Sequence, residues 1–322
     1  MRVIAIVNGY TGALCLQELV NQGDEIVAVV TSSGDPGPRA TPETSVKLTA
    51  DRSYLPVYQP PMPEVNSPRF VEVLRRLKPE LIVSMHFPVI FKEELLRIPP
   101  LGCVNEHPSR LPAARGMTPS CWHMLVGDKR NWISLHYLDR GIDTGDVISQ
   151  GSVEITPEDT GVTTGEKLSR EGHRIFSEAL PLIREGKAPR TPQSQIVGVK
   201  RSHYSWKPHY ARMAWNRSAE ELALHVRTLT HPKEMSSWTG CAYTHLAGRR
   251  VSVWQARAED GGRWAAQQAD PGEVLAISGE GLLVRAGRGT LLVSDAGLEG
   301  ACQPGLAGVL EALGGGLPAV FG

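Results

Sequence analysis

The sequence has little of what a membrane-bound or secreted protein needs. No run of eighteen or more apolar residues occurs among its 322 residues, so no membrane-spanning helix is expected. A secretory signal would bring a charged region, a long apolar stretch and a cleavage site, and none of these occurs in the opening MRVIAIVNGY. The five cysteines are odd in number and form no CxxC pair, which is typical of reduced thiols. We therefore expect a cytoplasmic protein.

The sequence also lacks an excess of charge of either sign. It carries 34 Lys and Arg against 34 Asp and Glu, and the part from Ala211 to Gly322 carries 10 basic against 11 acidic residues. A protein that binds nucleic acid through its phosphates normally has a basic excess on at least one domain. These counts disfavour a nucleic-acid partner.

Three common motifs of nucleotide-binding and hydrolytic enzymes are missing. Only Gly9 and Gly12 follow the first predicted strand, where a dinucleotide-binding domain has GxGxxG because its backbone approaches a pyrophosphate. Neither GxxxxGK[ST] nor GxSxG occurs anywhere. NAD dehydrogenases, P-loop NTPases and α/β-hydrolases are therefore disfavoured, and no NAD is expected.

Histidine and cysteine are too scattered to predict a metal site. Cys103 with His107, and Cys121 with His123, have ligand-like separations, but no second pair at a tight spacing supplies the remaining ligands. Because a catalytic zinc needs three protein ligands, we expect no metal.

What the sequence does contain is an α/β pattern followed by short strands. The apolar run Val3–Val7, the helical spacing of Ala13–Gln22 and the β-branched run Glu25–Thr31 form a βαβ unit, which predicts a mostly parallel, twisted, Rossmann-like sheet covered by helices. This pattern ends near Gly186. Short strands separated by Gly and Asp then predict a small β-barrel.

The chain is long enough for two domains. The changes in composition predict a first domain over residues 1–197, a linker over 198–210 that is rich in Pro, Ser and basic residues, a small barrel over 211–303 and a flexible tail over 304–322.

Polar side chains at the end of one strand predict the active site. An apolar strand ends at Val104 and is followed by Asn105 and His107, which strand alternation places on the same face. Open α/β sheets bind ligands at the carboxyl ends of their strands. An amide and an imidazole can donate hydrogen bonds to a developing oxyanion, and a carboxylate of the following turn, which bears Asp139 and Asp143, can orient the imidazole. We therefore predict acyl transfer at Asn105 and His107 with one of these carboxylates.

Three motifs around these residues resemble those of one enzyme family. N-x-H-P-S-x-L-P, R-G-x-x-P and D-x-x-x-D-T-G-D occur in order between residues 105 and 146 and are similar to those of the 10-formyltetrahydrofolate-dependent formyltransferases. The likeness covers roughly the first 200 residues, and a weaker one continues to about Ala296. It implies a Rossmann-like formyltransferase domain followed by an OB-like barrel, with 10-formyltetrahydrofolate as the formyl donor and with Asn105, His107 and Asp143 as catalytic residues.

The resemblance also implies binding residues around the catalytic centre. Those expected to meet the folate are Phe87, Pro88, Val89, Ile90, Ser109, Leu111, Asp139 and Gly141. Those expected near the amine acceptor are Arg115, Met117 and Trp122. Two alternatives stay open: Asp139 can simply stabilise its turn, and Arg115 can form a surface ion pair or shape the loop.

The acceptor is the least determined part of the prediction. The methionyl-tRNA enzyme carries a basic insertion after its second strand, whereas residues 33–44 here contain one Arg and two acids. With the balanced charge, this favours a small amine, first of all a nucleotide-linked amino sugar. The alternatives are a siderophore or natural-product precursor, methionyl-tRNA, and a non-catalytic folate- or sugar-binding protein on the same scaffold. A homodimer is left open.

Overall fold

The computed structural model describes residues 1–37, 40–41, 43–199, 202–230, 241–260, 262, 268–299, 305–313 and 319–321. The chain divides into two compact units. The first comprises residues 1–119, 130–154 and 166–204, and the second comprises residues 120–129, 155–165 and 205–322. The division therefore falls inside the segment predicted as a linker, but two short internal segments are grouped with the second unit although the prediction made 1–197 continuous.

Within the described residues, the first unit is built on nine strands, of which two short ones, Arg115–Gly116 and His203–Tyr204, are not predicted from the sequence. The strands are β1 (Arg2–Val7), β2 (Glu25–Val30), β3 (Val57–Tyr58), β4 (Leu81–Met85), β5 (Cys103–His107), β6 (Arg115–Gly116), β7 (Arg130–Tyr137), β8 (Val147–Glu154) and β9 (His203–Tyr204). Seven of them form one sheet in the order β3-β2-β1-β4-β5-β7-β8. The strands from β3 to β5 pair in parallel, and β7 and β8 are antiparallel additions. The two-residue strands β6 and β9 pair with each other.

Helices cover both faces of this sheet. The helices of the first unit are α1 (Gly9–Asn21), α2 (Val46–Arg52), α3 (Pro68–Arg76), α4 (Glu93–Leu96) and most of α6 (Gly161–Arg184), whereas α5 (Pro119–Leu125) is grouped almost entirely with the second unit. In β1, Val3 and Ala5 pack into one core cluster with residues of α1 and α6, whereas Ile4 and Ile6 pack into another with residues of α3. Both faces of β1 are therefore buried, which is why its sequence is continuously apolar.

The second unit is an antiparallel sheet with two helices. Its elements are α7 (Ala219–Thr228), β10 (Tyr243–Leu246), β11 (Arg249–Glu259), β12 (Val274–Ser278), β13 (Gly281–Arg285), β14 (Thr290–Leu298) and α8 (Leu306–Ala312). The strand order is β10-β11-β14-β13-β12. Ser218 and Glu221 form a capping box at the start of α7. The two-part fold class, a mostly parallel α/β sheet followed by a small all-antiparallel β unit, is confirmed.

The end of the chain differs from the flexible tail that its composition predicted. Helix α8 buries Val309 in the core of the second unit, and Phe321 stacks on Trp215 with ring centroids 5.7 Å apart. These apolar contacts give this part of the chain a packing role that its Gly-rich sequence does not reveal. Residues 300–304, 314–318 and 322 lie outside the described residues, as does residue 240 of the strand predicted at 240–245. Within the described ranges, every helix is too short or too polar to cross a membrane.

Candidate active site

The predicted catalytic residues lie at the carboxyl end of β5. This strand is hydrogen-bonded to β4 on one side and to β7 on the other, and Asn105 and His107 are its third and last residues. The structure brings Asp143 to the same place, with its Oδ2 3.5 Å from Nδ1 of His107. The three predicted residues therefore form one cluster, as the alternation in β5 and the position of the Asp143 turn led us to expect.

The His107 ring is buried between two oxygen atoms. Its Nε2 lies 3.0 Å from the carbonyl oxygen of Ala114, and its Nδ1 faces the carboxylate of Asp143. A carbonyl oxygen only accepts, so Nε2 carries a proton and donates it to Ala114. On the other side, the carboxylate lies where it can orient the ring and take part in proton transfer. The residue is thus arranged to hold and exchange protons beside Asp143.

Asp143 adopts a backbone conformation that few residues tolerate. Its φ is +53°, in the left-handed region where Asp and Asn are enriched among non-glycine residues. Its carboxylate accepts a hydrogen bond from the backbone N–H of Gly116 at 2.9 Å. Two residues later, a Cβ on Gly145 would lie 1.9 Å from the carbonyl oxygen of Tyr137, so only glycine fits there. The D-T-G sequence is therefore required by the shape of the turn.

Sequence reasoning missed a second histidine, His136, which lies opposite Asn105 on β7. Its Nδ1 is 2.8 Å from the carbonyl oxygen of Tyr137 and must donate to it, so Nε2 is left to accept a hydrogen bond from Asn105 Nδ2 at 3.2 Å. Burial lowers the pKa of His136 to about 4, which keeps this ring neutral. Nε2 also lies 3.8 Å from Asp143 Oδ1. Little in the sequence signals its role, because β7 (RNWISLHY) carries other polar residues besides His136.

Sequence reasoning also missed Gln193, which is buried behind the Asp143 turn. Its side-chain amide donates to the carbonyl oxygens of Asp143 and Gly145 and accepts from the guanidinium of Arg115. The contact of Arg115 with Gln193 agrees with the alternative in which this arginine shapes the loop. Its expected contact with the acceptor stays a prediction.

The residues expected to bind the folate divide into a rigid loop and a buried turn. In the loop after β4, Phe87 is buried, Val89 is half-buried, and Pro88 and Ile90 are exposed, Ile90 by 62%. The side chain of Asn66 holds this loop through two hydrogen bonds. It donates to the carbonyl oxygen of Ile90 and accepts from the backbone N–H two residues after Ile90. The loop therefore presents apolar surface on a fixed backbone.

In the turn that follows His107, the side chains of the expected folate-binding residues are buried, so the turn presents its backbone atoms to a ligand. Ser109 and Leu111 are fully buried, and the hydroxyl of Ser109 donates to the carbonyl oxygen of Ala113 at 2.8 Å. Asp139 is exposed and accepts hydrogen bonds from Gly141 N–H and from the Thr144 hydroxyl. These contacts agree with the turn-stabilising alternative for Asp139.

Two residues expected near the acceptor lie in different units. Met117 belongs to the first unit, where its side chain is 47% exposed. Trp122, on α5, belongs to the second unit and packs against Trp206 and Tyr210, with ring centroids 5.6 and 5.3 Å away. Within the described part of the chain, no three His, Cys, Asp or Glu side chains are grouped as a metal ion would require.

Both units match known sequence families. The family model described as Formyl transferase matches residues 1–180, and the one described as Formyl transferase, C-terminal domain, matches residues 206–303. The chain belongs to the formyltransferase family. The predicted family and the predicted enzyme class, a folate-dependent formyltransferase, are confirmed.

Relatives of this formyltransferase differ in what their names say they act on. It is 33% identical to the methionyl-tRNA formyltransferase of Desulforamulus reducens over 304 residues. This match covers 93% of this chain and 91% of the relative. The structure of HypX from Aquifex aeolicus with tetrahydrofolic acid is similar, with a TM-score of 0.65 at 17% identity. The match covers 98% of this chain and 48% of HypX, so this chain spans about half the length of HypX. WlaRD, a sugar 3N-formyltransferase solved with dTDP and 5-N-formyl-THF, gives a TM-score of 0.65 at 16% identity, covering 91% of this chain and 96% of that one. At these identities the two structures show the fold alone.

Proposed function

We propose that this formyltransferase moves the formyl group of 10-formyltetrahydrofolate to the amino group of methionyl-tRNA in the cytoplasm. The clustering of Asn105, His107 and Asp143 at the carboxyl end of β5 supports formyl transfer. The observation that carries the acceptor is the similarity to methionyl-tRNA formyltransferases over nearly the whole chain, at 33% identity across 93% of its length. The first expectation from the sequence, a nucleotide-linked amino sugar, has less support and becomes the second candidate.

In the proposed reaction, the neutral amine of the acceptor attacks the formyl carbon, and a C–N bond forms while the bond from that carbon to N10 of the folate breaks. The Asn105 amide has two hydrogens, of which His136 takes one, so the other can be donated to the formyl oxygen as it gains charge. His107 and Asp143 carry the proton from the amine to N10. For His107 also to bind the oxyanion, its Nε2 proton must leave the carbonyl oxygen of Ala114.

A basic segment around the start of the second family match supports a nucleic-acid acceptor. Residues 186–219 contain seven Lys and Arg, four aromatic residues and no Asp or Glu. The charge count that begins at Ala211 leaves out the first part of this segment, so it does not show the excess of basic residues. Basic side chains bind phosphates and aromatic rings stack on bases. In the second unit, Lys207 and Arg212 are exposed and flank Trp206 and Tyr210, whose ring centroids are 5.8 Å apart.

One observation favours a small acceptor instead. The loop over residues 33–44 has one Arg and two acids, and its Asp35 is committed to structure, because the carboxylate accepts from Lys47 N–H and from the Thr31 hydroxyl at 2.9 and 3.2 Å. A loop of this composition is poorly suited to phosphates. Residues 38, 39 and 42 of it lie outside the described residues.

Reversing charge in the basic segment separates the two acceptors. We expect the double substitution Lys207→Glu with Arg212→Glu to raise KM for initiator methionyl-tRNA by about tenfold or more, because each lost phosphate contact costs affinity and lowers the salt slope by about 0.7 to 0.9. Arg249→Glu, a single charge reversal at an exposed position in β11, should have little effect. The measurement is formylation of methionyl-tRNA and of nucleotide-linked amino sugars across a range of salt concentrations. Efficient formylation of an amino sugar with no reaction on methionyl-tRNA would establish the second candidate.

Folate binding is tested by thermal stability. We expect 5-formyltetrahydrofolate to raise the melting temperature of the full chain, since a ligand at a hundred times its Kd stabilises the native state by about 2.7 kcal/mol. NAD(H) and ATP should give no comparable shift. A shift with the folate, but no transfer to any amine, would favour a folate-binding protein without activity, whereas a large shift with NAD(H) alone would contradict the donor assignment.

A further inference from the structure

Gln193 occupies a fixed position behind the Asp143 turn. It begins a short 3-10 turn, Gln193–Gln195, and its side chain is buried. Two residues before it, Thr191 exchanges both backbone hydrogen bonds with Val147 at the start of β8, at 2.9 and 3.0 Å. The backbone that carries Gln193 is therefore tied to the central sheet. It also lies outside residues 1–180, the part that the first family model matches.

The Gln193 amide uses all of its hydrogen-bonding positions. Its Nε2 donates to the carbonyl oxygens of Asp143 and Gly145, both at 2.8 Å. Its Oε1 accepts from Nε and Nη2 of Arg115 at 3.1 and 2.6 Å. An amide offers two donors and two acceptor lone pairs, so among side chains only Gln and the shorter Asn have the groups for these four bonds.

These bonds join the two segments that orient the Asp143 carboxylate. Asp143 is left-handed, a conformation that persists only when its surroundings hold it, and Gln193 binds its carbonyl oxygen. On the other side, Gly116 donates its backbone N–H to the carboxylate, and Gly116 follows Arg115, which Gln193 also binds. One buried amide therefore sets both the backbone of Asp143 and the donor that aims its side chain at His107.

We propose that Gln193 is a positioning residue for formyl transfer, which keeps the Asp143 carboxylate against His107. This inference rests on the proposed catalytic roles of Asp143 and His107. In Gln193→Glu, the donor to two carbonyl oxygens becomes an oxygen that repels them. In Gln193→Leu, two buried carbonyl groups and a guanidinium lose their partner. In either variant the turn relaxes and the carboxylate moves away from the imidazole.

The test compares these variants with a matched control in the same turn. We expect Gln193→Leu and Gln193→Glu to lower kcat by about a hundredfold, the cost of displacing a catalytic group by about 1 Å, while KM for 10-formyltetrahydrofolate changes little. Gln195→Glu makes the same chemical change at an exposed position two residues away and should keep full kcat. If Gln193→Leu does not fold, Gln193→Asn keeps the amide but is too short to reach both segments, and it should also lower kcat without raising KM.

A second readout does not depend on the acceptor. In 15N-histidine NMR spectra, the ring signals of His107, assigned by their loss in His107→Ala, should move in the Gln193 variants and stay in place in Gln195→Glu. If wild type formylates no acceptor but the His107 signals move, the proposed function fails and the positioning role stands. If a folded Gln193 variant keeps both full kcat and the wild-type His107 signals, Gln193 is not a positioning residue. If the loss of kcat in a Gln193 variant is matched by an equal loss of folded protein, the positioning role is contradicted as well.

Discussion

Asp143→Asn is expected to lower kcat by a hundredfold or more while the protein stays folded. Asn tolerates the left-handed backbone of this position, so the turn is kept. The substitution removes the negative charge that faces His107 at 3.5 Å and His136 at 3.8 Å. Without it, His107 loses the carboxylate that orients its ring and shares in proton transfer, so the transfer from the amine to N10 is slowed. Steady-state kinetics should therefore show a fall in kcat with little change in KM for the folate.

His107→Ala and Asn105→Ala should each cost about a hundredfold or more, as the loss of one oxyanion donor does in other acyl-transfer enzymes. A matched control is Asp128→Asn, because His123 and Asp128 form another His–Asp pair, with Nδ1 2.7 Å from Oδ2, outside the cluster. This variant should keep wild-type activity. If purified, folded His107→Ala formylates at the wild-type rate, the assignment of the catalytic centre is wrong.

The part of the site that the sequence predicts is the part that local rules encode. Alternation in an apolar strand puts Asn105 and His107 on one face, and the carboxyl end of a parallel strand is where such sheets bind ligands. Asp143 came from motif spacing, because 36 residues of loop, helix and strand separate it from His107. Once the strands are known, the contact between Asp143 and His107 depends only on β7 and β8 folding back beside β5.

The missed residues depend on contacts between distant segments. Gln193 is 50 residues from Asp143, near the end of the predicted first domain and a few residues before the predicted linker, and no periodicity connects the two. His136 is 31 residues from Asn105, and its role follows from the pairing of β5 with β7. The sequence favoured a small amine over methionyl-tRNA for a different reason, since charge was counted by predicted domain while the basic residues of 186–219 lie across the predicted boundary.

The same alternation that exposes Asn105 and His107 to the site buries Glu106 on the opposite face of β5. Its carboxyl is 4% exposed, and Oε2 has no hydrogen-bond partner among the described residues. Gly172 on α6 leaves the space for it, because a Cβ there would lie 2.6 Å from Oε2. Burial raises the pKa of Glu106 to about 8, so the carboxyl is held protonated in the folded protein at neutral pH.

Glu106 should therefore make the protein less stable as pH rises. In the unfolded chain the carboxyl ionises near its ordinary pKa of 4.5, whereas in the folded protein it ionises near 8. The group's contribution to stability is complete below pH 4.5, declines as pH rises and is lost by about pH 8, a change of several kcal/mol in the free energy of unfolding. Glu106→Gln keeps the shape but cannot ionise, so it should lack this decline and exceed wild type in stability at pH 8.

Urea unfolding of wild type and Glu106→Gln at several pH values between 5 and 8 measures this difference. Glu154→Gln, the same change at an exposed position at the end of β8, should keep the wild-type dependence. Formylation at neutral pH should be retained in Glu106→Gln, since the side chain faces α6 and not the catalytic cluster. Equal pH dependence in wild type and Glu106→Gln would mean that the carboxyl is not held protonated, and that water or a charged partner reaches it between β5 and α6.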